Sequence, residues 1–489
     1  MPPPSSELTA SPSDSLPPKT ATGIAGLDEI LLGGLPAGRT TLVRGGPGTG
    51  KTVLALEFIY RGALRGEAGV YVSFEETVAT LRQNARALDW DDVESLEQDG
   101  RLVFLNPDLP ATLLRTGEFD IRGLLAILDG HVNKIGASRI VIDASDVLLR
   151  LFRTTDDRED QLFLLYQWLA KRKQTALLTL KISGEQPSTY DRHEYMADCV
   201  MHIDNRVAGQ IATRRLRVIK YRGSGFLSNE FPCLIASGGM QLMPISRSEL
   251  ETHEQDQVST GNSGLDLLLE GGYQSGTCIL IAGSTGTGKS ILASEFAVAA
   301  TQRGERVLYV NFEEGLGSFI RGMRSAGLDL ASPHEQGMLH ILAALPEMLG
   351  SEEHLLRLFR IIEEFDPAHV VVDAISACQR MGSEAVAFDF LVRLLNHCRS
   401  RGVTCIYLNQ VEPDRSSHWI SGVGISSLID ALMVLEQKWP GGSHVRSLLI
   451  IKHRGNRHSH NYHSFRITDD GIVIDERDSV SSSGQKEPS

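Results

Sequence analysis

The chain lacks any apolar run approaching the roughly 20 residues needed to span a bilayer, so no membrane partner is expected. Its opening, MPPPSSELTASPSDSLPP, has neither the basic nor the apolar region of a secretory signal. That Pro/Ser-rich stretch is expected to be disordered over residues 1–18. Basic charge is also in deficit, with 48 Lys and Arg against 61 Asp and Glu and a net charge of −13. Nucleic-acid-binding chains ordinarily present a basic face. The small patches Thr213–Arg217 and Lys171–Lys173 read as solvated strand or helix faces, so nucleic acid is not an expected partner. The six cysteines (Cys199, Cys233, Cys278, Cys378, Cys398 and Cys405) show no C-x-x-C spacing. They read as reduced thiols of a cytoplasmic protein rather than as a disulfide framework. The histidines His453, His458, His460 and His463 have no accompanying cysteine or carboxylate cluster, so nucleotide-proximal or surface positions suit them better than zinc.

What the chain does have is the same set of motifs twice. GGPGTGKT runs from Gly45 to Thr52 and GSTGTGKS from Gly283 to Ser290. Both fit G-x-x-x-x-G-K-[ST], in which backbone N–H groups and a lysine cradle a triphosphate and a hydroxyl meets the metal. The lysines, Lys51 and Lys289, are 238 residues apart. The paired acids closing YVSFEE and YVNFEE, Glu75/Glu76 and Glu313/Glu314, are 238 apart as well. RIVID ends at Asp143 and HVVVD at Asp373, 230 apart; VIKYRG and IIKHRG set Lys220/Arg222 and Lys452/Arg454 232 apart. Landmarks in one order at near-constant offset mean internal duplication. Short apolar runs alternating with amphipathic stretches predict α/β architecture: two tandem P-loop domains, each a mainly parallel twisted sheet flanked by helices. The paired late runs, VMHID with LRVIK and ALMVLE with SLLIIK, predict an antiparallel extension. Expected boundaries are an N-terminal domain over 19–240, a polar linker over 241–258, a C-terminal domain over 259–474 and a disordered tail over 475–489.

The candidate chemistry is phosphoryl transfer from ATP with Mg2+. Gly45, Gly46, Gly48, Thr49 and Gly50, and Gly283, Thr285, Gly286, Thr287 and Gly288, leave room for phosphates. Lys51 and Lys289 reach the β/γ-phosphates. Thr52 and Ser290, with Asp143 and Asp373, reach the metal shell. A carboxylate at the tip of each Glu-Glu strand can polarise the attacking oxygen; the residues do not distinguish the two members of a pair. Lys220/Arg222 and Lys452/Arg454 can neutralise γ-phosphate charge, supplied from a neighbouring subunit because the P-loop lysine crowds the in-cis position. Asn409–Gln410 puts two polar side chains at a strand end, where similarity to RecA-like ATPases implies a γ-phosphate sensor. Ser426–Ser427, before a strand, reads from its own surroundings as a turn or helix cap.

The chain resembles the KaiC family of double-ring ATPases and autokinases of the circadian clock, within the RecA-like superfamily. The resemblance is carried by GGLPAGRTTLVRGGPGTGKT, VSFEETVATLRQNARALDW, RIVIDASDVL, LRVIKYRG, GSTGTGKS, VNFEE, HVVVDAIS, GISSLID and IIKHRG, and spans Thr20 to Ile474. It implies a homohexamer of two stacked rings with ATP between subunits and slow hydrolysis in the N-terminal ring. In the C-terminal ring it implies serine/threonine autokinase activity. The matching acceptors are Ser426 and Ser427, and Arg446 is placed near the second nucleotide. Signalling or clock-type protein partners are implied too. Only 15 residues follow Ile474, where clock members carry a longer tail that engages an activator, so control by that activator is not expected. The competing functions are a RecA-like ATPase switch or scaffold without autophosphorylation, and a DNA-dependent RecA-type motor.

Overall fold

Every residue of RIVID, from Arg139 to Asp143, and of HVVVD, from His369 to Asp373, is buried. A strand buried on both faces belongs inside a sheet covered by helices on either side, and both halves fold that way. The computed structural model describes residues 17–107, 121–149, 151–152, 154–182, 187–208, 211–244, 256–411, 425–438 and 445–479. The chain divides into two compact units between Pro244 and Ile245.

In the first unit the principal elements are β1 (Thr40–Gly45), α1 (Lys51–Leu64), β2 (Gly69–Ser73), α2 (Val78–Arg86), β3 (Leu102–Leu105), α3 (Ile121–Ile135) and β4 (Arg139–Asp143). There follow α4 (Thr155–Arg172), β5 (Thr175–Lys181), α5 (Pro187–Met196), β6 (Cys199–Ala208), β7 (Ile211–Tyr221), β8 (Glu230–Ala236) and β9 (Gly239–Leu242). They form a nine-stranded sheet in the order β3-β2-β4-β5-β1-β6-β7-β8-β9. The pairings from β3 through β6 are parallel, and β7–β8 and β8–β9 are antiparallel. Period-two alternation divides the core. Val43, Tyr71, Val141 and Leu177 pack under α1, while Leu42, Val70, Ile142 and Leu178 pack under α3 and α4.

The second unit repeats the plan with β10 (Cys278–Gly283), α6 (Lys289–Gln302), β11 (Val307–Asn311), α7 (Leu316–Arg324), β12 (Leu339–Ala343), α8 (Ser351–Phe365) and β13 (His369–Asp373). It continues with α9 (Glu384–Arg399), β14 (Thr404–Gln410), β15 (Ala431–Lys438), β16 (Val445–His453), β17 (His463–Thr468) and β18 (Gly471–Ser479). Its order, β12-β11-β13-β14-β10-β15-β16-β17-β18, is the same topology. The late strands pair antiparallel: β15–β16, β16–β17 and β17–β18.

Three segments carry more strand than their polarity predicts, Gln257–Val258 of the expected linker pairing with Tyr273–Gln274 among them. Gly239–Leu242 pairs with Cys233–Ala236, because Met240 and Leu242 alternate inward and are buried. Ser479 still pairs with His463, since an edge strand is held by backbone bonds that polar side chains do not prevent. Residues 1–16, 245–255 and 480–489, which hold most of the expected N-terminal segment, linker and tail, lie outside the described residues. Among the described residues no helix is long and apolar enough to cross a membrane.

Candidate functional site

Both P-loops bridge the central strand to the helix that follows, so the loop glycines sit at the carboxyl edge of the sheet, where α/β folds bind nucleotides. Gly50 and Gly288 cap α1 and α6 at φ 97° and 103°, left-handed angles that favour glycine. Helix N–H groups therefore open toward the loop. Lys51 Nζ donates to the Gly45 and Gly46 carbonyls at 2.9 and 2.7 Å. Lys289 Nζ donates to Gly283 and Ser284 at 2.9 Å each. Thr49 and Thr287 brace the loops by donating to Gly46 and Ser284 at 3.0 and 2.8 Å. Burial lowers both lysines, opposed for Lys51 by Asp143, Glu75 and Asp146 and for Lys289 by Asp373 and Glu313. An ammonium half-desolvated among carboxylates, under a loop of N–H groups, suits a polyanion.

The strand-end aspartates stand below each loop. Tyr71 donates to Asp143 at 2.6 Å, and so does Thr179; Tyr309 donates to Asp373 at 2.9 Å. Burial pushes the Asp373 carboxyl up to about 6, opposed by hydrogen bonds from Ser290 and Tyr309 and by Lys289, with Glu313 adding to the push. A buried carboxylate in contact with the P-loop hydroxyl Ser290 is an oxygen donor set that fits Mg2+. The two glutamates of each pair separate here. Glu75 and Glu313 are the members whose charge acts on the P-loop lysine. Glu76 accepts from Asn84 of α2 at 2.8 Å and Glu314 accepts from Ser318 of α7 at 3.2 Å. Burial raises Glu76, with Asp143 and Glu75 adding to the rise.

The expected cations fall into two groups. Arg446 Nε donates to the Gly286 carbonyl of its own P-loop at 3.4 Å. Lys452 and Arg454 lie at the other end of the same sheet. Arg446 is opposite Gln437, at the P-loop end of β15, and Lys452 is opposite Leu432, at its start. Six residues of strand separate them, about 20 Å. At that far edge Lys452 donates to the Ile429 carbonyl at 2.6 Å, and Arg454 donates to the Ser427 carbonyl at 3.0 Å. Ser426 and Ser427 share the short 3-10 helix Ile425–Leu428 leading into β15, and Ser427 is exposed. Ala431 is level with Ile279 and Leu435 with Gly283. The serine pair is therefore separated from its own P-loop by more than four residues of strand, about 13 Å. The first unit matches: Lys220 donates to Glu194 and Tyr195 carbonyls at 2.7 and 3.0 Å, and Arg222 to Tyr195 at 2.6 Å.

Some neighbours of the loops were missed in the sequence. Arg214 donates to the Gly48 carbonyl at 3.4 Å, 232 positions before Arg446, so it belongs to the loop rather than to a solvated patch. Lys181 is level with Gly45 on β5, its N–H donating to the buried Asp146 at 3.1 Å. The second unit has Gln410 and Ser376 there, and Gln410 donates to Thr285 at 2.7 Å. The repeat offset from Arg446 is the signal that marks Arg214, while Gln410 belongs to the strand-end pair already named from the sequence. His458 lies near His453 and His460, with ring centroids 6.4 and 4.4 Å away. No group of three or more His, Cys, Asp or Glu among the described residues is arranged to hold a metal ion.

The family model described as "ATPase: KaiC" matches residues 20–247 and again 258–479. The chain is 35% identical over 462 residues to the circadian clock protein KaiC2 of Synechocystis sp., covering 93% of this chain and 81% of that one. It is 31% identical to KaiC3 of the same organism, over 93% of this chain and 91% of that one. With the circadian clock oscillator protein KaiC of Synechococcus elongatus the identity is 31% over 465 residues, covering 93% of this chain and 89% of that one.

Proposed function

The chain belongs to the KaiC family of double-domain ATPases, and on that premise we propose that it is a homohexameric ATPase and serine autokinase. In this reading each half binds Mg·ATP at a subunit seam. The N-terminal half hydrolyses ATP, and the C-terminal half transfers the γ-phosphoryl group to Ser426 or Ser427 of the adjacent subunit. The observation that carries the reading is the separation of pocket and acceptor. In-line attack needs reacting atoms about 3–3.5 Å apart, whereas the serines are more than four strand residues from their own P-loop. A second copy alone can bring that hydroxyl, with Lys452 and Arg454, to a triphosphate.

The chemistry follows from the side chains. The serine oxygen attacks the γ-phosphorus, Glu313 takes the hydroxyl proton, and the bond to the β-phosphate oxygen breaks to release ADP. Glu313 is assigned as base because its charge acts on Lys289, while Glu314 is tied to Ser318 of α7. Glu75 holds the same position in the first unit and activates water. Lys289, Arg446 and the loop N–H groups hold the phosphates, and the arriving cations offset charge developing on the transferred group. Ser290 with Asp373, and Thr52 with Asp143, would hold Mg2+, which would supply neutralisation of the phosphate oxygens. A phosphoserine adds about −1.5 to −2 charges beside Arg454, enough to bias a seam between two arrangements and serve signalling or timing. Incubation of the purified chain with Mg·ATP, followed by mass spectrometry, tests this. Phosphate on the Ser426–Ser427 peptide is expected, and a clean, unmodified peptide refutes the kinase and leaves an ATPase switch.

A further inference from the structure

At the far edges the segments entering and leaving the late strands correspond at an offset of 232, which sets Tyr195 against Ser427 and Glu194 against Ser426. The arginine and backbone hydrogen bonds repeat as well, while Lys220 donates to Glu194 and Tyr195 where Lys452 donates to Ile429. Arg222 donates to the Tyr195 carbonyl at 2.6 Å as Arg454 does to Ser427 at 3.0 Å. The backbone N–H of Arg222 meets the Asp198 carbonyl at 2.8 Å, and that of Arg454 meets Asp430 at 2.9 Å. Asp198 N–H bonds Thr40 at 2.9 Å, and Asp430 N–H bonds Cys278 at 2.8 Å. In the first unit, then, a phenol stands in the slot of the second unit's exposed serine. Glu194 is drawn away into an ion pair with Arg44. Tyr195 is 75% exposed, more than any other large apolar side chain described. Its ring meets the Arg222 guanidinium at 5.6 Å.

We propose that Tyr195 is a phosphoacceptor, modified by ATP bound in the N-terminal pocket of the adjacent subunit. This rests on the reading above that the far edge of each sheet faces a neighbour's triphosphate. The Tyr195 Oη–phosphorus bond forms as the bond from the γ-phosphorus to the β-phosphate oxygen breaks. ADP leaves, and the phenolic proton passes to the adjacent subunit's Glu75. A phenol reaches several ångströms further from the backbone than a serine hydroxyl, and here it competes with the water that the same carboxylate activates. The product places about −1.5 to −2 charges against Arg222 and Lys220, a charge-assisted lock on the N-terminal seam.

The test is phosphosite mapping of the full chain after incubation with Mg·ATP, on the wild type, Tyr195→Phe, Glu75→Gln/Glu76→Gln and Glu313→Gln/Glu314→Gln. Phosphotyrosine is expected at Tyr195 in the wild type and in Glu313→Gln/Glu314→Gln. It should fall at least about a hundredfold in Glu75→Gln/Glu76→Gln, as loss of a general base does, and vanish in Tyr195→Phe while particle size stays that of the wild type. Phosphate on Ser426–Ser427 with an unmodified Tyr195 peptide overturns the tyrosine assignment alone. Phosphate on neither overturns the seam reading and this inference with it. Tyr195 label that survives Glu75→Gln/Glu76→Gln but is lost with Glu313→Gln/Glu314→Gln overturns the N-terminal pocket as donor.

Discussion

Mixing two inactive variants tests whether donor and acceptor belong to different subunits. Glu313→Gln/Glu314→Gln keeps its serines but lacks the base. Ser426→Ala/Ser427→Ala keeps the pocket but lacks the acceptor. Ala431 to Leu435 spans four residues between the serine end of β15 and the level of Gly283, about 13 Å at 3.3 Å per residue. No side-chain rotation closes that gap to the 3–3.5 Å or so that in-line attack requires. Each protein alone is expected to show phosphoserine at under about one hundredth of the wild-type level. Dissociated, combined in equal amounts and reassembled with ATP, they form mixed rings. A head-to-tail interface presents each serine pair to one neighbour only, so about half of the serine-bearing subunits meet a competent pocket. Phosphoserine per such subunit should therefore reach about half the wild-type value, all of it on the Glu313→Gln/Glu314→Gln chain. The assay is phosphopeptide quantification, with subunit exchange verified by fluorescence energy transfer between labelled chains. Exchange without any rise in phosphoserine refutes the geometric reasoning.

Separately, Glu313→Gln should lower phosphoserine formation about 10²-fold or more and Glu314→Gln far less; single-turnover labelling distinguishes them, and equal losses contradict the assignment of the base. Lys51→Ala should lower basal ATP hydrolysis about 10²-fold and weaken ring assembly while leaving C-terminal labelling partly intact; unchanged turnover with unchanged particle size counts against it. Arg446→Ala removes the guanidinium beside Gly286, and the loss of a charge-assisted bond, about 1.5–3 kcal/mol, should weaken nucleotide binding at the second pocket roughly ten- to hundredfold by calorimetry. Burial pushes the Glu57 carboxyl up to about 7 from an ordinary value near 4.5, although the Met240 N–H and Arg61 oppose the shift. The folded state therefore binds the proton more tightly than the unfolded chain. Stability of the first unit should fall as pH rises from about 4.5 to about 7, by up to roughly 3 kcal/mol. Glu57→Gln should flatten that slope in urea denaturation, and an unchanged slope refutes it.

The sequence by itself determined the duplication, the P-loops and the strands ending in Asp143 and Asp373, because each is written in neighbouring residues. A left-handed glycine before Lys51 and an unbroken apolar run in RIVID need no distant partner to be recognised. Gly239–Leu242 and the strand through Ser479 were less legible, since edge strands are held by backbone pairing with residues elsewhere. The tertiary structure seated Arg446, which the resemblance sets near the second nucleotide, on Gly286, 160 positions away, and it alone decided that Lys181 and Asp146 meet beside the first loop. It also separated Glu313 from Glu314, adjacent residues that meet different neighbours. Above all it set Ser427 and Arg454 at the opposite edge of the sheet from Lys289. A parallel sheet sends every strand start to one edge and every strand end to the other, and that direction exists only once the strands are paired.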